Sequence, residues 1–239
     1  LGPRTGFGWS DAWRWISGEA RKKLLDAQRA TGAALAPLGR LFWKEMSGRA
    51  QGAGTPQGGA ARFVRELMAV VDRAPAGETF RFHLVAHSAG SIYLARLYDA
   101  SLRSLIARSR GRASLASIRF LAPAVSVPLA GKLLLSRGRC PVPPERFTIH
   151  TLSDASEATD SIHVYPSSLL TYVADHLESS SARVPVLGIR ADASASPFAR
   201  MATIIPTRCA HHGDLDNLAA AAGEASGMFD EIVGAIRAR

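Results

Sequence analysis

The sequence predicts an α/β fold, a mostly parallel sheet with helices on both faces, and three observations carry that prediction. From Thr79 onward, short apolar runs alternate with segments of helical period, joined by short connections. One of these runs, beginning at Phe80, turns abruptly through small residues into a helical pattern. The chain of 239 residues, 47% hydrophobic and 21% charged, is long enough to bury one sizeable core.

The elements follow in order. Ser10 to Ser47 has helical spacing: Ser10 or Asp11 can cap it, and Trp13, Ile16, Ala20, Leu24 and Ala27 recur on one stripe, followed by Leu35, Leu38, Leu41, Phe42 and Met46. All four tryptophans, Trp9, Trp13, Trp15 and Trp43, fall here. That is more large apolar surface than one buried stripe requires, so the segment reads either as core or as a lid or cap over a site. Gly48 to Gly59 has the composition of a flexible linker and divides residues 1–59, the helical segment, from residues 60–239, the α/β core. Phe63, Val64, Leu67, Met68 and Val71 then mark a short amphipathic helix that ends near Pro75.

Beyond it, strands are expected at Thr79–Ala86, Ser117–Leu121, Arg146–Leu152 and Val184–Ile189. Helices are expected at Ala89–Ile106, Leu129–Leu135, Ser167–Leu177 and Asp216–Ile236. In such a sheet, chemistry collects at the carboxyl ends of the strands.

The formal charge of +9 raises the possibility of anionic partners, but the basic residues are scattered through every segment. The densest run, Arg103 to Arg112, reads as a solvated helix end, and no nucleic acid is expected as partner. No apolar run approaches the roughly 18 residues of a membrane span. Leu1 to Ser10 lacks the pattern of a secretory leader, as expected of a processed chain or a fragment, and a cytoplasmic location stands as the default expectation. Cys140 and Cys209 form neither a disulfide framework nor a metal-ligand pattern.

The informative stretch is Ala86-His87-Ser88-Ala89-Gly90. A serine on a very tight strand-to-helix turn is held in a strained backbone conformation, and its neighbours two residues either side must be small. Ala86 and Gly90 meet that need, with Ala standing where the G-x-S-x-G pattern has its first glycine. Ser88 would then lie at a helix N-terminus, where the Ala89 N–H and the helix dipole favour a developing oxyanion. His87, next to it, can line the pocket. The plainer alternative is a serine that only caps the helix.

Serine at its free pKa is a poor nucleophile, so a histidine must take its proton and a carboxylate must orient that histidine. After a nucleophile elbow the chain order is acid, then histidine. Asp154 lies closest to the end of the strand Arg146–Leu152 and is the first choice of acid; Asp160 follows a turn and is its rival, with Glu157 third. For the base, Cys209-Ala210-His211-His212-Gly213 precedes the last helix. His212 is favoured, because Gly213 permits a sharp loop, and His211 is the alternative. Read with Asp214 and Asp216, the histidine pair could also bind a metal, but it lacks a ligand pattern, and no metal is expected. His83 and His150 lie inside strands and are expected to be packed there.

These residues resemble the α/β-hydrolase superfamily, and within it bacterial hydrolases with an HSAG-type elbow and a late His-Gly loop. The resemblance covers Phe63 to Arg237 and rests on Ala86 to Gly90, the Asp154 to Asp160 loop, Ser168 to Val173, and His212-Gly213. It implies an esterase- or lipase-like serine hydrolase with a small-molecule acyl substrate and no cofactor. In that superfamily the second oxyanion donor comes from a loop after an early strand, and nothing before Gly77 reads as such a strand. The expectation is therefore a hydrolase domain lacking its first strands. The alternatives are a non-catalytic binding module of the same fold, or a basic protein that binds anionic lipid or nucleic acid.

Overall fold

The computed structural model describes residues 18–135, 138–160, 167–207 and 209–215. The expected helix Asp216–Ile236, together with Trp9, Trp13 and Trp15, lies outside these residues.

The architecture is α/β, built on a four-stranded, all-parallel sheet in the order β1 (Phe80–His87), β2 (Ala113–Leu121), β3 (Phe147–Leu152) and β4 (Thr203–Thr207). Before it come two helices, α1 (Gly18–Ala53) and α2 (Gly59–Arg73), and among the described residues no strand precedes Phe80. From β1 the chain enters α3 (Gly90–Leu97), which passes through a wide turn, Tyr98–Leu102, into α4 (Arg103–Arg108). Then α5 (Val127–Leu134) joins β2 to β3, and α6 (Asp154–Thr159), α7 (Leu169–Tyr172, extended by Val173–Leu177) and α8 (Arg190–Ser194) lie between β3 and β4.

One main core explains the layering. Leu84 and Ala86 of β1, Ile118 and Phe120 of β2, and Phe147 and Ile149 of β3 point to one side, at the period of two that a strand imposes. There they meet Val64 and Val71 of α2, Ile92 and Ala95 of α3, and Leu133 and Leu134 of α5. The β1–β2 register shifts between Phe82 and His83, so that Phe82 faces Leu115 while His83 faces Ser117. The shift has a clear cause. Leu115 and Ile118 are three residues apart, and only an extra residue between them lets both follow the apolar face while Arg119 stays off it. It also sets His83 against Ser117, whose Oγ lies 2.8 Å from His83 Nδ1.

A second apolar cluster gathers at the carboxyl ends of the strands, where Leu121 and Leu152 pack with Leu170, Val173 and Ala174 of the α7 segment. α1 packs against α3 and against the Val173–Leu177 turn. Gly39 allows the approach, since a Cβ there would meet Leu177 Cδ2 at 2.9 Å. Trp43 Nε1 donates to Glu178 Oε1 at 2.8 Å, and Arg40 Nη1 donates to the His176 carbonyl at 3.0 Å.

Two expectations are corrected. The linker expected at Gly48–Gly59 is mostly helical: α1 runs to Ala53 before a short turn, and α2 starts at Gly59. The strand expected at Val184–Ile189 does not join the sheet, and the fourth strand is Thr203–Thr207. The 184–189 segment pairs instead with the chain just after β2: Val127 N donates to Pro185 O, Leu187 N to Val125 O, and Val186 forms an antiparallel bridge with Ser126. Gly188 is required there because a Cβ would lie 2.5 Å from the Pro123 carbonyl oxygen.

Candidate active site

Ser88 follows β1 directly and has φ of 50°, in the left-handed region that L-residues avoid. Main-chain bonds hold it there: its N–H donates to Leu121 O at 2.9 Å, and its carbonyl accepts from Ala124 N at 3.0 Å and Ser91 N at 3.1 Å. Ser91, fully buried, completes the clamp. Its Oγ donates to Ser88 O at 2.6 Å and accepts from Val125 N at 3.1 Å, tying the elbow to the loop after β2. The small neighbours face each other across the elbow: a Cβ on Gly90 would sit 3.8 Å from that of Ala86, an ordinary contact.

His212 opens a single helical turn, His212–Leu215, beyond β4. Its Nε2 lies 2.8 Å from Ser88 Oγ, and the residue is 8% exposed. His87 supports it from the other side: its Nε2 lies 3.2 Å from the His212 carbonyl, and the two rings meet tilted by 36° at a centroid distance of 5.0 Å. A carbonyl oxygen only accepts, so His87 carries its proton on Nε2. His211, the alternative base, points elsewhere, with Nδ1 3.0 Å from Asp160 Oδ1 and a side chain 67% exposed.

The structure places the two candidate acids differently. Asp154, the first choice, is 65% exposed, and Arg190 binds its carboxylate bidentately at 3.0 and 2.8 Å. Asp160, the rival, is 7% exposed and meets both histidines: Oδ1 takes the contact with His211, and Oδ2 accepts from the His212 N–H at 3.3 Å. The reason lies in how the chain leaves β3. Ser153 caps a helix at once, accepting from Ser156 N at 3.1 Å, so Asp154 occupies its first turn and faces solvent. Asp160 ends that helix and turns back toward the site.

Glu157 is buried between them, with Oε2 accepting hydrogen bonds from Ser168 and, at 3.4 Å, from Thr171. Burial pushes its carboxyl above the usual carboxylate range, with the neighbouring Asp160 and Asp154 adding to the rise, while the Ser168 and Thr171 hydroxyls oppose it. His83 moves the other way, held below the usual imidazole value by burial and then by Arg81 and Arg119.

Sequence reasoning missed Ser91, because its burial, which makes it part of the clamp, is not visible in the sequence. Among the described residues, no group of three or more His, Cys, Asp or Glu side chains could hold a metal, and Asp216 lies outside them. No described helix is long and apolar enough to cross a membrane. Comparison with protein-family models, with curated proteins and with solved structures gives no match.

Proposed function

We propose that this chain is a serine hydrolase of the α/β-hydrolase kind, acting on a carboxylic ester or a related acyl substrate. One observation carries the reading: a serine in a left-handed elbow between strand and helix, with a buried histidine nitrogen 2.8 Å from its hydroxyl oxygen. A capping serine needs neither the strained conformation nor the histidine.

In this mechanism His212 Nε2 takes the proton of Ser88 Oγ as the oxygen attacks the substrate carbonyl. The carbonyl oxygen becomes an oxyanion, and the N–H groups of Ala89 and Gly90 precede the first bonds of α3, so they are available to it at the positive end of the helix dipole. The histidine then gives its proton to the departing alkoxide, leaving Ser88 acylated. Water, deprotonated by the same nitrogen, attacks the acyl group, and Ser88 leaves with the proton returned. Asp160 stabilises the imidazolium charge from the edge of the histidine loop.

The test is labelling of the full chain with a fluorophosphonate probe. Covalent modification at Ser88, abolished in Ser88→Ala and strongly slowed in His212→Gln, is expected. A folded protein that remains unlabelled would sink the reading and favour a non-catalytic module.

A further inference from the structure

We propose that Glu157 is a positioning residue for Asp160: its side chain bolts α6 to the start of α7 and so sets where Asp160 meets the histidine loop. The inference rests on the hydrolase reading, since the place of Asp160 matters to a reaction only if His212 acts on Ser88.

The contacts form a continuous chain. α7 is anchored in the second core, with Leu170 and Ala174 fully buried beside Leu121 and Leu152. Its capping residue Ser168, also fully buried, accepts from Thr171 N at 3.2 Å and donates its hydroxyl to Glu157. Thr171 Oγ1 adds a second, longer bond to the same carboxyl oxygen at 3.4 Å. Three residues later, Asp160 N donates to Ser156 O at 2.7 Å, so Asp160 moves with the helix that Glu157 holds. From there Asp160 reaches His211 and the His212 N–H. A helix of six residues has little stability of its own, and this pin replaces what its length cannot supply.

The chemistry of the pin suits a carboxyl that stays neutral. Glu157 is 9% exposed, and among the described residues its Oε1 is buried with no hydrogen-bond partner. An anionic oxygen in that position would be costly. The charged groups around it are Asp154 and Asp160, at either end of α6, while α7 faces it with the hydroxyls of Ser168 and Thr171; His211 and His212 stand beyond Asp160. A neutral Glu157 leaves Asp160 as the negative charge beside the histidines. When it ionises at higher pH, two carboxylates share the corner and push Asp160 away from its place.

The experiment uses the full chain as wild type, Glu157→Gln, Glu157→Ala and Ser168→Ala, checked for folding by thermal melts. The rate of fluorophosphonate labelling at Ser88 and the kcat and KM for p-nitrophenyl acetate are followed from acid to alkaline pH. Glu157→Gln keeps the shape and the acceptor but cannot ionise, so it should match wild type near neutrality and lose the alkaline decline of the wild-type profile. Glu157→Ala should lower kcat and labelling by roughly tenfold to a hundredfold at unchanged KM, the scale expected when a catalytic group is displaced by about an ångström. If Glu157→Ala does not fold, Ser168→Ala, which removes one hydroxyl, should show the same loss of kcat in smaller measure.

Wild-type labelling in folded Glu157→Ala, or in folded Ser168→Ala where the first does not fold, overturns this inference alone. So does a Glu157→Gln profile with the alkaline decline intact. A wild-type protein that takes no label at Ser88 overturns the hydrolase reading and this inference with it.

Discussion

Ser88 holds φ of 50°, and that strain can be measured apart from any chemistry. The perturbation is a pair of substitutions, Ser88→Ala and Ser88→Gly. Both remove the hydroxyl and its 2.8 Å contact with His212, so the loss of that hydrogen bond cancels between them. What differs is the backbone. A residue with a Cβ in the left-handed region costs about 1–2 kcal/mol that glycine does not. Glycine gives back roughly 0.4–1 kcal/mol through its more disordered unfolded chain. The net advantage of Ser88→Gly over Ser88→Ala is therefore about 1 kcal/mol, or roughly 2–4 °C in Tm for a domain of this size. Paired calorimetric scans under identical conditions read it directly. An alanine variant as stable as the glycine variant refutes the argument, because it would mean that the clamp from Leu121, Ala124 and Ser91 does not enforce a left-handed elbow. Neither variant should take the fluorophosphonate label.

Further outcomes follow from single contacts. Asp154→Asn breaks an exposed pair with Arg190, so it should change stability by no more than about 1 kcal/mol and leave labelling at Ser88 untouched. Asp160→Asn should slow labelling by at least roughly a hundredfold, and equal rates for these two variants would show the acid to be misassigned. Gly188→Ala places a Cβ 2.5 Å from Pro123 O and 2.7 Å from Ala122 C, backbone atoms that cannot swing aside. It should lower the urea midpoint by the equivalent of about 1–3 kcal/mol or more, and a midpoint like that of wild type would contradict the packing described here. His83, its pKa depressed by burial and by Arg81 and Arg119, favours the folded state while neutral. That contribution is fully present above the ordinary imidazole pKa of about 6.5 and is lost as pH falls toward the lower folded value. The acid-side drop in Tm should shrink in His83→Gln; a drop of wild-type size would assign it to other groups.

Much of the fold was legible because period and punctuation agreed. β1, α3, β2, α5 and β3 lie close to where apolar alternation and helical spacing put them. The errors fall where local pattern and tertiary pairing disagree. Val184-Pro185-Val186-Leu187 has the composition of a buried strand, but it is held by main-chain bonds to Val125 and Val127, sixty residues away in sequence, and no local signal reports them. Thr203–Thr207 carries Pro206, which weakens its strand pattern, yet β4 lies at the edge of the described sheet, the place where a proline costs least.

The site divides along the same line. The pairing of Ser88 with His212 was readable from sequence because a strand, a turn of small residues and a helix surround Ser88, and the histidines follow late in the chain before the last helical pattern. The acid carries no such mark. Three carboxylates within seven residues differ only in which way α6 turns them: Asp154 outward to Arg190, Glu157 inward to Ser168, and Asp160 back to the histidines. A clue was present in Ser153-Asp154-Ala155-Ser156, a helix start in which a carboxylate one place after the cap belongs to the solvent side of the first turn. Followed through, that clue favours the far end of the helix for the proposed acid, where the capping geometry rather than the distance from β3 decides which carboxylate meets the histidine loop.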